Sequence, residues 1–154
     1  MNIVNIYGCY NNRVEFWDAF KNFVISKKEN LIIGGDLNFT LGAHEIWGPK
    51  ARTYPLAPFF INLLQNLKLI DLDPIKLNPY WTNIRVGEDI IAKRLDRFLL
   101  AENILDENLM FKQWVDSGAD SNHLPICIEI LKNPSKQANP FKLCSAWLKN
   151  EEVI

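Results

Sequence analysis

The chain is predicted to fold as an α/β (α+β) protein, and three observations carry that reading. The opening reads as strand, helix, strand; short apolar runs ended by Gly or Pro alternate with stretches of helical spacing; and Pro125 to Leu131 alternates as a half-buried strand does.

Met1 to Tyr7 places Val4 and Ile6 on one face and Ile3, Asn5 and Tyr7 on the other, a strand that Gly8 breaks. Asn12 with Glu15 three residues on marks a helix start, and Val14, Trp17, Phe20 and Val24 recur at core spacing before Lys27 and Lys28. Leu31 to Ile33 is a buried strand stopped by Gly34 and Gly35, where the backbone can approach a neighbour closely. Thr40 to Tyr54 is irregular and holds the polar pair His44-Glu45. Pro55 opens a second helix, with Phe59, Phe60, Leu63, Leu64 and Leu67 on its buried side. Tyr80 to Asn83 is a run of strand formers, Gly87-Glu88 a hairpin turn, and Ile91 to Leu100 a returning strand that carries Arg94, Asp96 and Arg97. Such charges inside a strand want partners. Phe111 to Val115 is a further strand. In Pro125 to Leu131, Ile126, Ile128 and Ile130 point inward, opposite Cys127 and Glu129. Residues 1–131 form the domain; 132–154 read as a linker followed, from Trp147, by the start of a helix.

At 154 residues one domain is expected, and 48% apolar with 12% aromatic residues is a globular composition. No run approaches the ~18 apolar residues that cross a bilayer, and Met1 to Gly8 has no leader pattern, so a soluble intracellular chain is expected. Cys9, Cys127 and Cys144 lack metal-type spacing and read as reduced structural thiols. With 17 basic and 18 acidic residues the net charge is -1, which excludes a general polyanion binder and confines any nucleic-acid contact to a local patch.

Chemistry would gather around Asn30 to Phe39, NLIIGGDLNF. If the chain stays extended through Leu37, Asp36 and Asn38 share one mouth, where a carboxylate and a carboxamide can orient a water and donate to an anion; otherwise they only make a turn. His123, one of two histidines, stands before the strand that Pro125 opens, as a site residue or a satisfied structural one.

Gly-Asp-Leu-Asn, Tyr-Trp-Thr-Asn, Arg-Leu-Asp-Arg-Phe and Ser-Asn-His-Leu-Pro-Ile, in that order, resemble the second half of the endonuclease/exonuclease/phosphatase family of metal-dependent phosphodiesterases. GGDLNFTLGAHEIWG, YWTNIRVGEDIIAKRLDRFLL and SNHLPI look most like the endonuclease domain of plant non-LTR (LINE-type) retrotransposon polyproteins, and FKLCSAWLKNEEVI is similar to their connector towards reverse transcriptase. The resemblance implies half of a four-layer α/β/β/α sandwich, a mixed β-sheet with helices on one face. It implies that Asp36 orients or deprotonates the attacking water, that Asn38 donates to the scissile phosphate, and that Tyr7 contacts that phosphate. It further implies that Asp96 fixes the tautomer and charge of His123, which offsets developing negative charge. Trp81 and Arg97 are scaffold or DNA-facing, and Lys93 and Arg94 face a backbone phosphate or solvent. Mg²⁺ (or Mn²⁺) is the implied cofactor, DNA the partner and the nucleus the location.

Two departures bear on activity. The family pattern has Asp where this chain has Asn122, a neutral amide in a metal-ligand position, with Asp120 two residues earlier the nearest carboxylate. The family's first half, with its metal-binding Glu, has no counterpart here. A weak or inactive fragment of a DNA endonuclease is therefore expected, with self-association through an exposed sheet face or edge; Val4, Ile6, Ile126, Ile128 and Ile130 would be the uncovered set. A non-catalytic binding remnant and a small-phosphoester phosphatase are the competing readings.

Overall fold

The computed structural model describes residues 1–27, 30–117 and 120–132. The expected linker and connector helix lie outside these, as does Cys144. Cys9 and Cys127 are free thiols.

The central sheet has the order β1-β2-β7-β4, from β1 (Asn2–Asn5), β2 (Leu31–Asp36), β4 (Leu69–Asp71) and β7 (Asp96–Ala101). β1 runs parallel to β2, and β7 antiparallel to both β2 and β4, so the sheet is mixed. Two helices, α1 (Arg13–Ser26) and α2 (Ala57–Leu67), cover one face. Trp17, Phe20 and Val24 of α1 and Phe60 and Leu64 of α2 pack on Leu31, Ile33 and Leu99 of the strands. Alternation explains this directly: Leu31 and Ile33 face the helices while Ile32, between them, turns the other way.

On the opposite face, Ile32, Leu100 and Ile104 meet Phe111, Ile128 and Ile130 from a two-stranded sheet, β8 (Leu109–Val115) paired antiparallel with β9 (Ile126–Lys132). The layers are thus helices, sheet, sheet. A third small sheet, β3 (Ile46–Trp47), β6 (Ala92–Lys93) and β5 (Trp81–Thr82), caps one end, and Gly87–Asp89 makes the predicted turn between β5 and β6.

Several expectations need correction. The strand foreseen over Ile91 to Leu100 is two, β6 and β7, broken at Arg94-Leu95, because the two halves pair in different sheets. Helix α1 does follow Asn12, but that residue is left-handed at φ 52° and makes no side-chain cap. Pro58 rather than Pro55 sits in the first turn of α2. Val14 and Phe59 lie on exposed sides of their helices. Val4 and Ile6 are half-covered by the helical layer, and Ile126, Ile128 and Ile130 are half-buried; the open apolar residue is Ile3, 66% exposed beside buried Ile32, where β8 and β9 do not reach over β1.

Arg94, expected to face a phosphate or solvent, is the largest correction, and Arg97 takes the scaffold alternative rather than the DNA-facing one. Neither faces DNA: they are 2% and 0% exposed. Arg94 makes two hydrogen bonds to Asp71, at 2.7 and 2.9 Å, and one to Glu45 at 2.8 Å, while Arg97 donates to both carboxylates. A guanidinium cannot shed its charge, so each buried arginine is kept by two anions. The network ties β7, β4 and the turn before β3 together, and it places the loop that follows β2.

Candidate active site

Asp36 ends β2, and the chain does not stay extended beyond it. Leu37 and Phe39 are both buried, and Asn38 between them is left-handed at φ 55°. Phe39 stacks on Phe60 at 4.1 Å and meets Trp17 edge-on at 5.6 Å, so the core pins both sides of Asn38. The Asn38 N–H and carboxamide donate to the Asp36 carboxylate at 3.0 and 3.1 Å. The extended course foreseen for the pair is not taken: its alternative, a turn, is present, and in it the asparagine holds the aspartate at the cleft.

The second carboxamide N–H of Asn38 donates to the Gly8 carbonyl at 2.8 Å, and the Gly8 N–H donates to the Asp36 carbonyl at 2.6 Å. No larger residue would fit this crossing. A Cβ on Gly8 would lie 2.2 Å from the Leu37 carbonyl oxygen, and one on Gly35, at φ +136°, 2.1 Å from that of Ile6. With one amide proton on Asp36 and the other on Gly8, Asn38 positions Asp36 and has none left for the donation to the scissile phosphate that the resemblance implied, which is a correction.

Asp96, first residue of β7, lies across the ladder from Asp36. His123 reaches the same place from the segment before β9. Its backbone bridges Trp81, flanked by Thr82 N–H to the Asn122 carbonyl at 3.0 Å and Leu124 N–H to the Tyr80 carbonyl at 2.7 Å. His123 Nδ1 is 2.9 Å from Asp96 Oδ2, and Nε2 is 3.8 Å from Asp36 Oδ2. A proton on Nδ1 donates to Asp96 and leaves Nε2 on the Asp36 side. Burial raises the Asp96 pKa above its ordinary value; the hydrogen bond and charge of His123 oppose that rise, and Asp36 adds to it.

Asp96 stands behind His123, which with Asp36 and Asn38 lines a cleft of about 250 Å³ together with Tyr7, Tyr10, Arg13, Tyr54, Trp81 and Lys93. Tyr7 stands at its edge, 70% exposed. Lys93 lies 5.8 Å from the Trp81 ring. The Asn122 side chain makes no hydrogen bond among the described residues. Arg13 was not foreseen as a site residue, and its place in a helix's first turn gives no local signal; yet its Nη2 donates to the Asn38 carbonyl at 2.9 Å. Glu45 and Asp71, the partners of the buried arginines, were equally silent in sequence.

Asp36, Asp96 and His123 each offer a ligand atom within 4.8 Å of the others. Two carboxylates and an imidazole suit a divalent cation, the carboxylates Mg²⁺ and the imidazole a softer ion such as Mn²⁺. Among the described residues no helix is long and apolar enough to cross a membrane.

Layers, mixed sheet and few helices are those of a DNase I-like endonuclease fold. The structure is similar to the endonuclease domain of TRAS1, a telomere-specific non-LTR retrotransposon, at a TM-score of 0.62 and 18% identity, over 86% of this chain and 56% of that one. The chain therefore spans little more than half of that domain. No family model matches it. No curated protein matches it.

Proposed function

We propose that this chain is the histidine-bearing part of a metal-dependent DNA endonuclease of retrotransposon type, of the plant LINE kind, with the nucleus as its place of action. One observation carries the reading: from three separate stretches, two hydrogen-bonded pairs, Asn38 with Asp36 and His123 with Asp96, meet where His123 Nε2 lies 3.8 Å from Asp36 Oδ2, and Asp36, Asn38 and His123 line an open cleft.

The chemistry follows from the directions of the groups. Asp36, held by Asn38, keeps lone pairs free to accept a proton from water. With Nδ1 donating to Asp96, His123 would serve a phosphoryl oxygen as an imidazolium, donating from Nε2, and the ring need not reorient as charge builds. Tyr7 offers a hydroxyl at the edge of the cleft. Mg²⁺ or Mn²⁺, held by Asp36 and Asp96, would supply Lewis-acid polarisation of the phosphate. Asn122 brings no charge to that site, and the activity of this chain is accordingly weak.

Nicking of supercoiled plasmid in Mg²⁺ or Mn²⁺ tests this. Slow relaxation abolished by Asp36→Ala and by His123→Ala is expected. Efficient nicking that still needs Asp36 would refute the impairment and keep the endonuclease. Absence of both nicking and DNA binding would end the reading, and release of phosphate from small esters would replace it with a phosphatase.

A further inference from the structure

Arg13 and Lys93 are the cations that line the cleft, and each is held against aromatic rings. The Arg13 guanidinium carbon lies 5.0 Å from the Tyr10 ring centre and 5.5 Å from that of Tyr54. Lys93 rests on Trp81, whose backbone bridges His123. Tyr10 is 73% exposed, so with Arg13 behind its ring most of it stays open to an incoming group. Core packing does not account for a ring so placed.

A duplex keeps its bases stacked on each other and presents phosphates, sugars and base edges, but no open π-face. Gripping it takes a broad cationic surface, and a chain of net charge -1 with two cations in its cleft does not provide one. An unpaired nucleotide presents a phosphate and a π-face together, which is what a guanidinium next to an open tyrosine can receive. Resting on the polynucleotide reading above, we propose that the cleft takes an unpaired nucleotide beside the reacting phosphodiester. Tyr10 stacks on the base, and Arg13 meets the adjoining phosphate. Tyr54 backs the guanidinium with its ring; its hydroxyl is enclosed without a hydrogen-bond partner among the described residues and contributes nothing to the contact.

Fluorescence anisotropy with a labelled oligodeoxynucleotide tests this in EDTA, where no cleavage competes, with the same sequence single-stranded and as a duplex. The single strand is expected to bind roughly tenfold more tightly than the duplex. Tyr10→Ala should weaken single-strand binding about 5- to 100-fold and leave the duplex within about twofold, since stacking is lost only where a base is free. Tyr10→Phe and Tyr54→Phe should bind as the parent does. Arg13→Ala should weaken both forms and reduce the salt dependence by about one phosphate contact. Equal binding of both forms, unmoved by Tyr10→Ala, overturns the unpaired-nucleotide subsite and leaves the endonuclease reading standing. No binding of either form at low salt removes the polynucleotide reading itself. The thermal midpoint of Tyr10→Ala, at an exposed position, reports whether lost binding is only lost folding.

Discussion

Asp96 holds two opposed roles in one side chain. It anchors His123, and its burial makes it reluctant to ionise. Because its folded-state pKa lies above the unfolded value near 3.8, the stability linked to it is fully present below that value and is lost as pH rises through the folded one. At neutral pH the ionised group therefore costs the fold something that catalysis needs. Asp96→Asn is expected to cut nicking by about 10²- to 10⁴-fold without lowering the thermal midpoint at pH 7, as measured by plasmid assay and by circular dichroism melting. A drop in the midpoint would show that the carboxylate supports the fold.

The elements are joined by charge as much as by oil. Burial alone would raise the Glu45 pKa, but the hydrogen bonds and charge of Arg97, the Leu41 N–H and Arg94 carry it below 4.5. For a lowered pKa the linked stability is present above the unfolded value and is lost as pH falls through the folded one, so acid should loosen the link between β3, β4 and β7. Glu45→Gln is expected to cost about 3–5 kcal/mol in urea unfolding at pH 7, by leaving Arg97 and Arg94 short of an anion, and to flatten the loss below pH ~4.5. A cost under about 1 kcal/mol would mean that water reaches the arginines. The same network shows what was legible beforehand. Periodicity found the helices and strands, because burial writes itself into spacing. It also showed that Arg94 and Arg97 needed partners, but those partners lie 49 and 23 residues from Arg94, in a turn and at a strand end, and only the sheet order unites them. Asp36 and Asn38 were legible as a pair through adjacency alone. The left-handed turn that joins them was not, because it is imposed by Phe39 and Leu37 entering the core on either side.

At the scale of the whole molecule, the two faces of the central sheet are unequally dressed. The helices cover β1 and β2, whereas β8 and β9 leave Ile3 open at an edge strand that pairs on one side only among the described residues. An uncovered apolar edge of this kind is the sort of surface on which a second strand can add. Ile3→Lys should shift sedimentation towards the monomer, because a charge there opposes both apolar contact and strand addition. Unchanged concentration dependence would clear the edge of that role. Gly8, one turn beyond this strand, is latched twice to the site, through the Asp36 carbonyl and through Asn38. Whatever docks on the outer rim of β1 thus has a mechanical grip on the nucleophile's guardian: steadying the first strand would tighten the latch, prying it loose would slacken it, and the exchange rate of the Gly8 amide proton would be the gauge.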